Sequence, residues 1–130
     1  MGYSFRELVA WQKAKQLALS VYRETEHFPQ TKMYGLTAQI RRAAISVPSN
    51  IAEGQGRGSK PDFAKFLCVA RGSLLELLTQ LEIARDLGYT SAESFNELQK
   101  HNGEVLRILN GLLDSLQSES RPSRTRRTTS

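Results

Sequence analysis

The residues best suited to chemistry in this sequence are basic side chains between positions 41 and 71. This span contains six basic residues and only two acidic ones, Glu53 and Asp62. The basic residues are Arg41, Arg42, Arg57, Lys60, Lys65 and Arg71. Guanidinium and ammonium groups bind phosphate, and clustered basic side chains would create a strong positive field. The pattern indicates RNA or DNA as a ligand if folding brings these residues together. Alternatively, Arg41 and Arg71 pair with Glu53, Glu76 or a neighbouring subunit, and the lysines are only solvated.

A second basic group lies near the C-terminal end of the sequence. Residues 118–130 contain one acidic residue and no apolar residue to bury, and their four basic residues are Arg121, Arg124, Arg126 and Arg127. Such a composition predicts a disordered tail. A flexible basic tail adds sequence-independent affinity for nucleic acid, although a merely solubilising tail explains the composition equally well.

The segment from Ser46 to Gly54 has unusual polar chemistry for a helix. Pro48 lacks the donor for the carbonyl of Ala44, and its ring crowds that turn, so a kink is expected. The neighbouring polar residues are Ser49, Asn50 and Glu53. They suit either a binding pocket or a subunit contact, but a structural kink held by local hydrogen bonds is the favoured interpretation.

Other chemistry finds little support in the sequence. The GQGRG segment lacks the spacing of a dinucleotide fingerprint, and GRGSK is not a phosphate-binding loop. His27, His101 and Cys68 are too few and too scattered for a metal site. Without a nucleophile and base pair, we expect a protein that is not an enzyme and has no cofactor. The single cysteine and the lack of a signal peptide or long apolar run predict a cytoplasmic protein that does not bind membranes.

Apolar residues recur at three- and four-residue steps through nearly the whole chain, which predicts an all-α fold. Four helices account for the pattern, at about 5–26, 32–53, 59–87 and 90–117. Ser4 with Glu7, Ser59 with Asp62 and Thr90 with Glu93 are spaced as helix caps. The glycines of GQGRG, residues 54–58, predict a turn, and Gly88 predicts the end of the third helix. We therefore expect one domain, an antiparallel up-and-down four-helix bundle over residues 1–117, with the tail at 118–130.

The third helix has more apolar surface than one bundle core requires. Its apolar residues cover a wide arc and are Phe63, Phe66, Leu67, Val69, Leu74, Leu75, Leu77, Leu78, Leu81 and Ile83. Large exposed apolar patches are uncommon on monomers, so the surplus favours a second buried face against another copy of the chain. A helix that is central in its own bundle would also explain the arc.

Three long stretches of the sequence resemble a known family. They are FRELVAWQKA, YGLTAQIRRAAISVPSNIAEG and FLCVARGSLLELLTQLEIARDLGY, and the resemblance covers roughly residues 4–117. The sequence resembles the four-helix-bundle proteins named for open reading frames in intervening sequences of bacterial 23S rRNA genes. This resemblance implies a homopentameric barrel of undefined biochemical function. A distant relative is the accessory variability protein of diversity-generating retroelements, a basic pentamer that binds nucleic acid and a reverse transcriptase.

Two functional hypotheses follow from the residues and the resemblance. The first is a non-catalytic oligomeric interaction module that binds RNA or DNA through its basic surfaces. The alternative is an accessory or scaffold subunit for a nucleic-acid enzyme such as a reverse transcriptase. The genomic neighbourhood would discriminate between them.

Overall fold

The computed structural model describes residues 4–120, with side chains described for residues 4–29 and 34–118. A short 3-10 helix and four α-helices make up this part of the chain. They are the 3-10 helix Phe5–Glu7, α1 Val9–Thr25, α2 Gln30–Gly56, α3 Lys60–Asp86 and α4 Ala92–Ser120. The all-α prediction is therefore confirmed.

The helices form an antiparallel up-and-down bundle, as predicted. Each α-helix packs against the preceding and following helices, and α4 closes the ring against α1. In the described part of the chain, no Cα atoms of the diagonal pairs α1–α3 and α2–α4 lie within 8 Å of each other. Short connections between successive helices enforce this arrangement, since they leave antiparallel neighbours as the simplest packing.

The core consists of the apolar stripes that the sequence periodicity predicts. Its largest fully buried side chains are Leu17, Val21, Ile40, Val47, Ile51, Leu67, Leu74, Leu77, Leu81, Phe95 and Leu109. Burial of each of these side chains stabilises the fold by roughly 1.5 to 3 kcal/mol. Asn102 is also buried, and its Nδ2 donates to the carbonyl of Leu74 at 3.4 Å.

The predicted first helix is in fact two helices. Ser4 caps the 3-10 helix by accepting a hydrogen bond from the backbone N–H of Arg6, and the backbone of Leu8 is extended. The main helix α1 begins only at Val9. The prediction of one helix from residue 5 was wrong because apolar spacing does not register a single extended residue between two helical segments.

The turn predicted at residues 54–58 was placed too early. Helix α2 continues through Gly54 and Gly56, and the reversal occurs at Gly58, which has a φ of 83°. A Cβ added at Gly54 would lie 2.6 Å from the Cβ of Phe66. Gly54 therefore permits the close approach of α2 and α3, and packing between the helices offsets the low helix propensity of glycine.

The predicted caps differ in outcome. The Ser59 hydroxyl accepts from the backbone N–H of Asp62, and Gly88 has a φ of 80° just after α3, so both predictions are confirmed. Thr90 does not cap α4, because Ser91 accepts from the backbone N–H of Ser94 instead. Thr90 donates its hydroxyl hydrogen to Oε2 of Glu24 at 2.7 Å, which fastens the α3–α4 connection to α1.

The fourth helix is longer than predicted. It extends to Ser120 and so includes the first three residues assigned to the tail at 118–130. The arginines predicted to add affinity, at positions 121, 124, 126 and 127, lie outside the described residues, and the tail remains a prediction.

Candidate functional site

The six basic residues between positions 41 and 71 do not form one cluster. Arg41 and Arg42 lie near the middle of α2, whereas Arg57 follows the end of that helix. Sixteen residues separate Arg41 from Arg57, which corresponds to about 24 Å at a rise of ~1.5 Å per residue. Within one copy, the fold therefore does not bring the six residues together, and it distributes these side chains along the bundle.

Three of the predicted basic residues lie at one end of the bundle, around the α2–α3 turn. We call Arg57, Lys60 and Lys65 the basic end, and all three are exposed. Arg57 forms an ion pair with Glu53 at 3.0 Å, and its guanidinium lies 5.0 Å from the ring centroid of Phe66. These contacts hold the Arg57 side chain at the surface.

The end of α4 lies at the same end of the bundle as these residues. Helix α3 begins at Lys60, and α4 runs antiparallel to it and ends at Ser120. The two helices are of similar length, 27 and 29 residues. Helix α4 therefore ends at the same end of the bundle as the basic end. In the sequence, Ser120 is followed by Arg121, Arg124, Arg126 and Arg127.

The two arginines with suspected ionic partners bind neutral groups instead. Arg41 donates from Nε to the Thr25 hydroxyl at 2.8 Å and from an Nη to the Tyr22 carbonyl at 3.2 Å. Arg71 donates to Oδ1 of Asn110 at 3.0 Å. Pairing of either arginine with Glu53 or Glu76 is thus not observed. These contacts fasten α2 to α1 and α3 to α4.

A groove of about 470 Å³ lies between the C-terminal part of α1 and the N-terminal half of α2. Its wall is formed by Tyr22, Thr25, Tyr34, Thr37, Ala38, Arg41 and Arg42. The α2 members are spaced by three, four, seven and eight residues, so they share one face of that helix. Tyr34 and Thr37 were not among the residues predicted from the sequence. Their spacing from the two arginines is the signal that would have found them.

The polar segment around Pro48 lies inside an uninterrupted α2. Asn50 Nδ2 donates to the Ser46 carbonyl at 2.8 Å and to the Ser46 hydroxyl at 2.9 Å. The Ser46 and Ser73 hydroxyls share a hydrogen bond of 2.8 Å. Ser49 is exposed. The segment thus connects α2 to α3 through small polar side chains.

The described residues limit the other kinds of site that this chain can contain. Among the side chains that the structure describes, no three or more His, Cys, Asp or Glu residues group as metal ligands. No helix in that range combines the length and the hydropathy that a membrane span requires.

Comparisons with known proteins identify both the fold and the family. No curated protein shows significant sequence similarity to the chain. A crystal structure of a protein with unknown function from the S23 ribosomal protein family of Bacteroides thetaiotaomicron VPI-5482 superposes with a TM-score of 0.76 at 21% identity. The match covers 82% of this chain and 96% of that chain, and shows a shared fold. A family model described as 23S rRNA-intervening sequence protein matches residues 6–111. The chain therefore belongs to the 23S rRNA-intervening sequence protein family.

Proposed function

We propose that this protein is a non-catalytic, self-assembling interaction module of the cytoplasm that binds the phosphate backbone of RNA or DNA. The observation that carries the proposal is the exposed apolar surface of α3. Val69, Leu75, Ile83 and Leu87 are 48, 48, 46 and 57% exposed, respectively. Leu87 directly follows α3, and we call these four residues the α3 face.

The α3 face lies on the side of the helix opposite the core. Its members are separated by six, eight and four residues, and the exposed Cys68 and Gly72 lie among them. Four exposed apolar side chains on one side of residues 69–87 mark an interaction site, since large exposed apolar surface is uncommon on a monomer. We infer that the partner is another copy of the chain, because a second copy is present wherever the protein itself is present.

A closed ring of five copies requires two different contact surfaces on each copy. An odd-numbered ring cannot be closed by identical patches, so the α3 face must meet another part of its neighbour. Exposed apolar residues outside α3 are available for that role. Val9 and Leu19 on α1 and Ile45 on α2 are 55, 44 and 45% exposed.

The basic end supports nucleic acid as the ligand of the assembly. Three exposed basic side chains lie beside the point from which the arginine-rich segment continues. A ring repeats this arrangement in every copy, and multivalent phosphate contacts strengthen binding without any new kind of contact. The release of counterions from the phosphate backbone would supply the affinity, so that no contacts with specific bases are required.

Self-assembly is tested by the mass of the protein in solution. We expect light scattering at micromolar concentration to give about five times the 14.6 kDa chain mass. Replacement of Leu75 and Ile83 by Lys should lower that mass, because it charges the α3 face. Replacement of Asn96 and Gln99 by Lys, which adds two charges on the exposed surface of α4, is the matched control. A monomeric parent protein would contradict the assembly proposal.

Nucleic-acid binding is tested separately by its salt dependence. Removal of residues 121–130, or replacement of Arg57, Lys60 and Lys65 by Gln, should reduce the slope of log affinity against log salt by roughly 0.7 to 0.9 for each lost contact. The control replaces the exposed residues Arg23, Lys100 and Arg107 by Gln, which removes equal charge elsewhere. If the parent protein binds neither single-stranded nor duplex nucleic acid at about 50 mM salt, this ligand is excluded and a protein partner replaces it.

A further inference from the structure

The groove between α1 and α2 has the side chains of a nucleotide site. It contains two guanidinium groups, two phenol rings and two hydroxyl side chains, and none of its seven lining residues is acidic. Its volume of about 470 Å³ lies in the range of small-ligand sites, ~300 to 1,000 Å³. The charge and the aromatic surface together suit a ligand that combines an anion with a planar ring.

One of the two guanidinium groups is held rigidly in place. The Arg41 guanidinium stacks on the Tyr22 ring at 4.6 Å from its centroid, and Thr25 and the Tyr22 carbonyl accept two of its hydrogen bonds. A guanidinium group has five N–H donors, so three remain after these bonds. Arg41 therefore adds fixed positive charge to the groove wall. Because its side chain is already ordered, it loses no further conformational entropy when an anion binds.

The second guanidinium group is available to a ligand. Arg42 is exposed and makes no hydrogen bond or ion pair with the described part of the chain. Arginine binds phosphate through parallel N–H donors, and charge-assisted bonds of this kind are among the strongest. Arg42 is thus the residue on this wall that is best placed to bind a phosphate directly.

The aromatic side chain at the other end of the wall is the most exposed of the large apolar side chains that the structure describes. Tyr34 is 85% exposed, compared with 37% for Tyr22. Bases of single strands stack on exposed aromatic rings, and stacking does not depend on base identity. Eight residues separate Tyr34 from Arg42, about 12 Å along α2, a distance that one nucleotide and two long side chains span.

We infer that this groove binds a nucleotide unit of single-stranded nucleic acid, with its phosphate on Arg42 and its base on Tyr34. Arg41 is a positioning residue that holds the wall and contributes charge. This inference rests on the proposed function and adds to it a preference for single strands. A paired and stacked base presents no free face to Tyr34, so duplexes bind only through the basic end.

The experiment uses the full-length protein and a short RNA that contains one 2-aminopurine, whose fluorescence is quenched when it stacks. Tyr34→Ala should weaken single-strand affinity about tenfold and abolish the quenching, whereas Tyr34→Phe, which keeps the ring, should preserve both. Arg42→Gln should lower the single-strand salt slope by about 0.7. Arg107→Gln on α4, the helix diagonal to α2, is the control for loss of one exposed charge.

The outcomes separate this inference from the proposed function. If the parent protein binds RNA but Tyr34→Ala changes neither affinity nor quenching, the groove is not the site, although the proposed function stands. A change of oligomer mass in Tyr34→Ala would show a subunit contact and would overturn the inference as well. Adenosine monophosphate and inorganic phosphate are titrated as competitors. Competition by the nucleotide but not by phosphate indicates the combined site, and competition by neither contradicts it.

Discussion

The C-terminal half of α2 packs tightly against α3, and we call it the tight half. The N-terminal half borders an open groove with α1, and we call it the open half. In the tight half, Gly54 leaves no room for a Cβ beside Phe66, and the Ser46 and Ser73 hydroxyls bond across the interface. In the open half, Arg41 spans from α2 to the end of α1. One helix thus makes two kinds of interface. Small side chains form the tight interface with α3, and a long arginine side chain reaches α1 beside the groove.

The difference explains how a simple bundle can contain a groove that suits the proposed nucleotide site. Glycine and serine allow two helix backbones to approach closely, and this fixes their relative position. In the open half, a long arginine instead donates to hydroxyl and carbonyl groups of its partner helix and lines the groove between them. The tight half stabilises the position of α2, and the open half presents side chains to solvent.

The largest expected change in stability comes from adding a methyl group to the tight half, at its interface with α3. Gly54→Ala should lower the free energy of unfolding by about 1 to 3 kcal/mol, because the Cβ of Phe66 is fixed to its backbone and α3 must move. The better helix propensity of alanine offsets up to about 1 kcal/mol of this loss. Urea denaturation at fixed protein concentration measures the change. Gly56→Ala is the control, since no atom lies within 4 Å of its added Cβ. Equal stability of the two variants would contradict the close approach.

A smaller effect is expected in the open half. Thr25→Val keeps the side-chain shape but removes the hydroxyl that accepts from Arg41 and donates to the Val21 carbonyl. We expect a loss of about 1 to 2 kcal/mol, because Thr25 is buried and the Arg41 donor loses its partner. Thr25→Ser should retain most of the stability in the same denaturation experiment. If Thr25→Val is as stable as Thr25→Ser, this hydrogen bond does not hold the groove wall.

The smallest effect is expected at the surface of the tight half. Glu53→Gln removes the ion pair with Arg57, whose partners are 55 and 52% exposed, so stability should fall by no more than about 0.5 kcal/mol. The variant should bind RNA more tightly, because the carboxylate no longer neutralises Arg57. A filter-binding titration at low and high salt measures this gain, which should vanish at high salt. Weaker RNA binding at low salt would argue against Arg57 as a contact.

Those parts of the fold that depend on local chemistry could be predicted from the sequence. Ser59 with Asp62 begins α3, and Gly88 follows its end, because a cap and a left-handed glycine act within one turn of the helix. The apolar periodicity predicted the core for a similar reason. Thr90 failed as a cap because Ser91, the next residue, offers the same hydroxyl chemistry, and Glu24 of α1 competes for Thr90.

Features that depend on distant parts of the chain could not be predicted from local pattern. Gly54 and Gly56 indicate a turn by propensity, and only the position of Phe66 shows why a helix continues through Gly54. The partners of Arg41 are 16 and 19 residues away and are uncharged, so charge pairing was a poor guide. The groove wall was visible as a helical face in the sequence, but its depth depends on the position of α1.

The short connections between helices also bear on the order of folding and of the proposed self-assembly. Each connection joins helices that pack directly against each other, so much of the bundle forms through contacts between chain neighbours. Helical proteins rich in such local contacts fold in microseconds to milliseconds, whereas the meeting of subunits takes milliseconds to minutes and depends on concentration. Folding of each copy therefore precedes its encounter with another. A refolding rate that does not change with protein concentration is the kinetic signature of that order.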